Sequence, residues 1–267
     1  MRLKRTVQAA LLSGSLLTVA CVSEGPGADL TKFKPLSSKQ RHEDTVKIKT
    51  QLAVEYIKSG DYRSAVKAIE EAVKADRKNE QVWLVRAQIY QFLKVTEKAE
   101  ESFREGLKLN PDSAEINNNY GWFLCNMKKN PAAALPHFDK ALSDPTYPAP
   151  EVAYLNKGIC HSRLKRYQEA DGFFERALAL NPQFVPVLKE RARNRLAEGN
   201  IKDADYYFRR YQSLINNLNA DDLFLGWRIA REQEQEQAAY EYEAQLRADF
   251  PYSDELNKIV TGNINHD

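Results

Sequence analysis

The sequence predicts an all-α chain folded as a right-handed superhelix, an α-solenoid of about six helix-turn-helix repeats. Three observations predict it. Small residues recur at Ala65, Ala99, Ala134 and Ala170, spaced by 34, 35 and 36 positions. A second set, Ala72, Gly106, Ala141 and Ala177, keeps the same spacings. Only 11 Gly and 11 Pro interrupt 267 residues, so the connections are short.

A period near 34 is that of the tetratricopeptide repeat (TPR), two antiparallel helices per unit. Close helix packing explains the pattern. Small residues let the backbones approach, aromatics fill the spaces between them, and a proline stops the second helix before the next unit begins. The repeats are expected at 46–79, 80–113, 114–150, 151–184, 185–218 and 219–252. The first carries Tyr56, Tyr62, Ala65 and Ala72, with Arg77 where proline is usual. The second carries Trp83, Ala87, Tyr90, Phe103 and Pro111. The third has Gly121, Phe138, an extra residue between its helices and a loop with Pro145, Pro148 and Pro150. The fourth is the most regular, with Tyr154, Gly158, Tyr167, Phe174 and Pro182. The fifth keeps Ala192, Gly199, Ala204 and Phe208; the degenerate sixth keeps Leu223, Ala239 and Pro251. A capping helix and polar tail are expected over 253–267. One such unit cannot bury its own apolar face, so stacking is what makes the core.

The N-terminus reads as an export signal over 1–20. Arg2, Lys4 and Arg5 precede an uncharged apolar run from Thr6 to Ala20. That run is about 15 residues, and a membrane-spanning helix needs roughly 20. Leu17-Thr18-Val19-Ala20-Cys21 resembles the bacterial lipobox, with Thr18 departing from the usual leucine. Cys21 is therefore the expected lipidation site, with acyl chains as the membrane contact. Val22 after it, rather than Asp, resembles the outer-membrane sorting of Gram-negative lipoproteins. Residues 21–45 read as the lipidated cysteine and a flexible tether, reaching roughly 25–30 Å.

Charge and motifs narrow the chemistry. The chain carries 39 Lys and Arg against 37 Asp and Glu, a net charge of +2. Loss of the leader leaves 36 against 37, so nothing in the balance attracts nucleic acid. His42, His137, His161 and His266 stand at no metal-ligand spacing, and no metal or cofactor is expected. No nucleophile elbow, phosphate loop or dinucleotide motif is present, so an enzyme and a small-molecule substrate are not expected. His161 falls where an aromatic packs in the repeat. Cys125 and Cys160 lie on the first helices of neighbouring repeats. In an oxidising periplasm they can form a disulfide, and the alternative is two buried thiols.

First helices line the inside of such a solenoid. The positions that project there give Val54 and Ile57, then Leu84, Gln88 and Phe92. They continue with Asn118, Trp122 and Asn126, then Leu155, Ile159 and Arg163. This apolar, amide-studded groove suits an amphipathic or extended peptide. The alternative is that some of these residues only contact the next first helix. Trp122 is the favoured hot spot, because tryptophan is enriched at binding centres.

The stretch Asn117-Asn118-Asn119-Tyr120-Gly121-Trp122-Phe123-Leu124-Cys125 resembles the type IV pilus biogenesis and stability lipoproteins, the PilF/PilW family. Phe224-Leu225-Gly226-Trp227-Arg228-Ile229-Ala230, with Phe250-Pro251, is similar to that family's last repeat. The resemblance spans nearly the whole chain. It implies an outer-membrane pilotin that binds secretin subunits and promotes their localisation and multimerisation. The alternative is another periplasmic TPR lipoprotein, a scaffold for cell-wall hydrolases or a barrel-assembly component.

Overall fold

The computed structural model describes residues 37–263; the signal segment, Cys21 and His266 lie outside them. All described elements are helices. Six consecutive pairs are α1 (Ser38–Lys58) and α2 (Tyr62–Ala75), α3 (Glu80–Phe92) and α4 (Thr96–Leu109), α5 (Ala114–Asn126) and α6 (Pro131–Leu142), α7 (Pro150–Arg163) and α8 (Tyr167–Leu180), α9 (Pro186–Glu198) and α10 (Ile201–Gln212), and α11 (Ala220–Glu232) and α12 (Glu236–Asp249). A thirteenth helix, α13 (Asp254–Thr261), packs on the last pair.

One backbone device turns the chain within each pair. A single residue of positive φ follows the first helix: Gly60, Lys94, Lys129, Lys165, Gly199 and Glu234. The next N–H then reaches back to a carbonyl near the helix end, as Asp61 N to Tyr56 O and Val95 N to Tyr90 O, both 2.9 Å. This left-handed cap satisfies carbonyls that would otherwise be orphaned. The third turn spans one residue more, Asn130 N reaching Leu124 O. Between pairs the device differs. Asp76, Asn110, Asp144 and Asn181 each accept, through the side chain, the N–H two residues on. Asp76, Asn110 and Asn181 are extended, with φ near −140°. Arg77 follows the same turn as Pro111 and Pro182, so the side-chain turn sets the geometry and proline is dispensable there. Trp83 Nε1 donates to Arg77 O at 2.8 Å and ties the next helix to it.

The interior is a ladder. Phe103, Phe138, Phe174 and Phe208 are all 0–1% exposed. Each lies beneath the first helix of its own pair or the next. A Cβ on Gly158 would lie 2.5 Å from Phe174 Cε1 and 3.1 Å from the Ala170 carbonyl, and one on Gly121 would lie 2.8 Å from Phe138 Cε1. Glycine is required at both positions because the ring occupies the space of a side chain.

The expected tether boundary is corrected. Residues 38–45 belong to α1, not to a flexible segment. Ser37 Oγ accepts the Gln40 N–H at 3.1 Å and caps the helix, which then runs into the buried row Val46, Thr50 and Ala53. A polar first two turns carries no apolar period, so the sequence hides its helicity.

The structure bonds Cys125 to Cys160, joining α5 to α7 with Cα atoms 6.0 Å apart. The bond closes a loop with a sequence separation of 35. Constraining the unfolded chain in this way stabilises by about 2–4 kcal/mol. Cys160→Ser should lower the urea midpoint accordingly, and dithiothreitol should reproduce the loss in the unsubstituted chain but not in the variant.

Candidate inner-face binding site

The odd-numbered helices touch one another in series: α5 with α7, α7 with α9, α9 with α11, and α11 with α13. Helices closer to their like neighbours lie on the inside of a curve, so these form the inner face. The Asn triplet stitches this face together. Asn119 Oδ1 accepts from Gln88 Nε2 of α3 at 3.2 Å, and Asn118 Oδ1 accepts from Asn156 Nδ2 of α7 at 3.1 Å. Asn117 points the other way, donating to Pro111 O and Ser113 O and meeting His137 Nδ1 at 2.9 Å.

Several residues expected in the groove take other places. Leu84 is 1% exposed and packs among Tyr90, Phe103 and Ile116. Leu155 lies with Phe174 and Val187 in the core, and Asn118 is buried between α5 and α7. Spacing alone cannot separate a groove position from the seam between neighbouring first helices. Val54 and Ile57 are half-buried against the first core cluster. Phe92 is exposed, but its ring lies 5.6 Å from that of Tyr62 at the start of α2. Gln88 is exposed at the α3–α5 seam.

Trp122, Asn126, Ile159 and Arg163 do come together. The Arg163 guanidinium sits 5.8 Å from the Trp122 ring, and donates to Cys125 O at 2.7 Å and Asn126 Oδ1 at 2.9 Å. The cation thus flattens the half-buried indole against the seam and leaves part of it accessible.

Ile159 and Arg163 also open a cavity of about 430 Å³ that runs on through α9, α11 and α13. Arg193, Arg228 and Lys258 line its far side, and Lys129 and Lys165 enter from the turns. Arg193 holds Asp221 by two contacts of 2.9 and 2.8 Å, and Lys189 reaches the same carboxylate. Burial alone would raise the Asp221 pKa, but these two cations hold it below the ordinary carboxylate value. Sequence reasoning missed this part of the face. It treated α13 as a cap, whereas Glu255 and Lys258 line the cavity.

Two histidines lie beneath the face. His161 is buried with its ring 4.8 Å from that of Phe173, and His137 is half-buried beside Tyr120. Burial holds both below the ordinary histidine pKa, and Lys157 adds to this at His161. The unfolded chain takes up these protons near pH 6.5 while the folded chain resists them, so stability is full above that pH and falls as pH drops below it. His161→Phe should flatten the decline in thermal midpoint between pH 7 and 5. Among the described residues no group of three or more His, Cys, Asp or Glu is placed to hold a metal ion.

Helix pairs of this period, stacked with a continuous inner face among the described residues, define a TPR-type repeat protein. The family model "Tetratricopeptide repeat protein 21 N-terminal ARM repeat" matches residues 48–205. The crystal structure of PilW, described as a widely conserved type IV pilus biogenesis factor, is 57% identical with a TM-score of 0.74, covering 80% of this chain and 98% of that one. The type IV pilus assembly protein PilF of Pseudomonas aeruginosa is 27% identical over 261 residues, 95% of this chain and 98% of PilF. A solved structure of Pseudomonas aeruginosa PilF has a TM-score of 0.66, covering 83% of this chain and 99% of that one. The chain belongs to the PilW/PilF family of type IV pilus biogenesis TPR proteins.

Proposed function

We propose that the chain is a pilotin, a lipoprotein anchored to the outer membrane through acylated Cys21. It binds secretin subunits of the type IV pilus and promotes their multimerisation. The observation that carries the reading is the accessible Trp122–Arg163 pair on the inner face, within a chain of the pilus biogenesis family. Anchoring several subunits' binding segments near one membrane raises their effective concentration, which favours ring assembly without any new contact between them. The function is contact rather than chemistry.

Deletion of the gene, followed by blotting for secretin multimers and a twitching assay, tests this. Loss of multimers and of twitching is expected, with restoration by the intact chain and incomplete restoration by Cys21→Ser. Normal multimers and pili in the deletion would overturn the reading.

A further inference from the structure

The total charge of the chain is nearly balanced, yet the inner-face cavity is not. Among the described residues its lining holds six Lys and Arg and three Asp and Glu, a local net charge of +3. Two of the carboxylates, Glu190 and Asp221, are already engaged by Arg193. A concave site with low-dielectric walls concentrates the potential of such an excess. The cations are also ordered. Lys129 and Lys165 occupy the same left-handed turn position in successive pairs, a position that Gly60, Lys94, Gly199 and Glu234 fill outside the cavity. The backbone therefore does not need lysine there, and lysine is not a residue that prefers this conformation. Between the cations lie the half-buried Ile159 and the exposed Ala197, while Phe224 is buried beneath Lys258, whose Nζ is 5.5 Å from its ring.

We infer that this cavity, between the α5–α6 turn and α13, receives an acidic segment of a protein partner, with aliphatic or aromatic side chains between its carboxylates. The inference rests on the protein-holding reading above and specifies the chemistry of the held segment. A bilayer surface is flat and cannot enter a concave site. A polyphosphate chain carries no apolar groups for Ile159 and Ala197. An acidic amphipathic peptide matches both the charge and the apolar floor.

The test uses purified full-length protein and three labelled 15-residue peptides that share leucines and differ only in the intervening residues, Glu, Gln or Lys. Fluorescence anisotropy should show the Glu peptide binding at least ~10-fold more tightly than the Lys peptide at low salt, with the difference shrinking in 0.5 M NaCl. Lys129→Glu with Lys165→Glu should remove that preference. Lys67→Glu with Lys74→Glu, the same charge change on exposed positions of α2, should retain it. Helical circular dichroism checks that both double variants are folded. Equal binding of the three peptides, equal loss in both double variants, or binding to phosphatidylglycerol vesicles without peptide binding would overturn the inference. These results are separable from the pilotin test. Failure of peptide selectivity with multimers still lost in the deletion removes only the inference; selectivity with normal multimers in the deletion removes only the pilotin.

Discussion

Asp171→Ala should destabilise the fold by about 3–5 kcal/mol, among the largest effects of any single substitution here. Asp171 is 6% exposed on α8 and accepts from Arg191 Nε and Nη2 at 2.8 and 2.9 Å, and from Arg195 Nη2 at 2.6 Å. Both arginines come from α9, so one carboxylate fastens the fourth pair to the fifth. The Arg191 guanidinium also lies 4.4 Å from the Tyr207 ring centroid, which shields the cluster from the other side. Removing the carboxylate leaves two cations in a partly dry seam with only Glu175 and Glu198 nearby. The large cost comes from that stranded charge, not from the intrinsic worth of the pair. Replacing Asp171 and Arg191 together by Leu and Met should therefore recover much of the loss. Urea unfolding of the two single variants and the double variant measures the coupling directly. Additive losses would show that the cluster is not a unit.

Leu84→Glu and Trp122→Glu should behave in opposite ways, although periodicity assigns both residues to the groove. Leu84 lies in the core, and an ionised carboxylate there has no partner. Several kcal/mol should be lost, and with them most of the folded population. Trp122 is half-buried, and its tie to Arg163 is worth about 0.5–1 kcal/mol. Trp122→Glu should keep its helical signal and lose only about that much stability, while failing to restore secretin multimers in a deletion strain. Expressed side by side, the first variant reports folding and the second reports binding. A folded Trp122→Glu protein that restores multimers in full would move the contact surface away from this seam.

The repeat architecture was legible because its physics is local and periodic. Close approach of two helices demands a small residue at Gly121 and Gly158, a ring such as Phe138 or Phe174 fills the gap, and each demand recurs every 34–37 residues. The start of α1 was not legible, since eight polar residues joined to a helix by a serine cap have the composition of a linker. The Asn triplet was visible as a family marker. Its role was not, because each asparagine bonds a different segment 4 to 38 positions away.

The binding face divides in the same way. Sequence by itself determined which helices face inward and that Trp122, Ile159 and Arg163 share that side. Only the tertiary structure decided that Leu84 and Leu155 seal the seams between pairs. It also decided that Lys129, Lys165, Arg228 and Lys258, from four separate turns and helices, meet around one cavity. A period records what every repeat must do to stack on the next. It carries no record of how far successive repeats rotate, and that rotation sets which side chains are pressed together and which are left to converge on a partner.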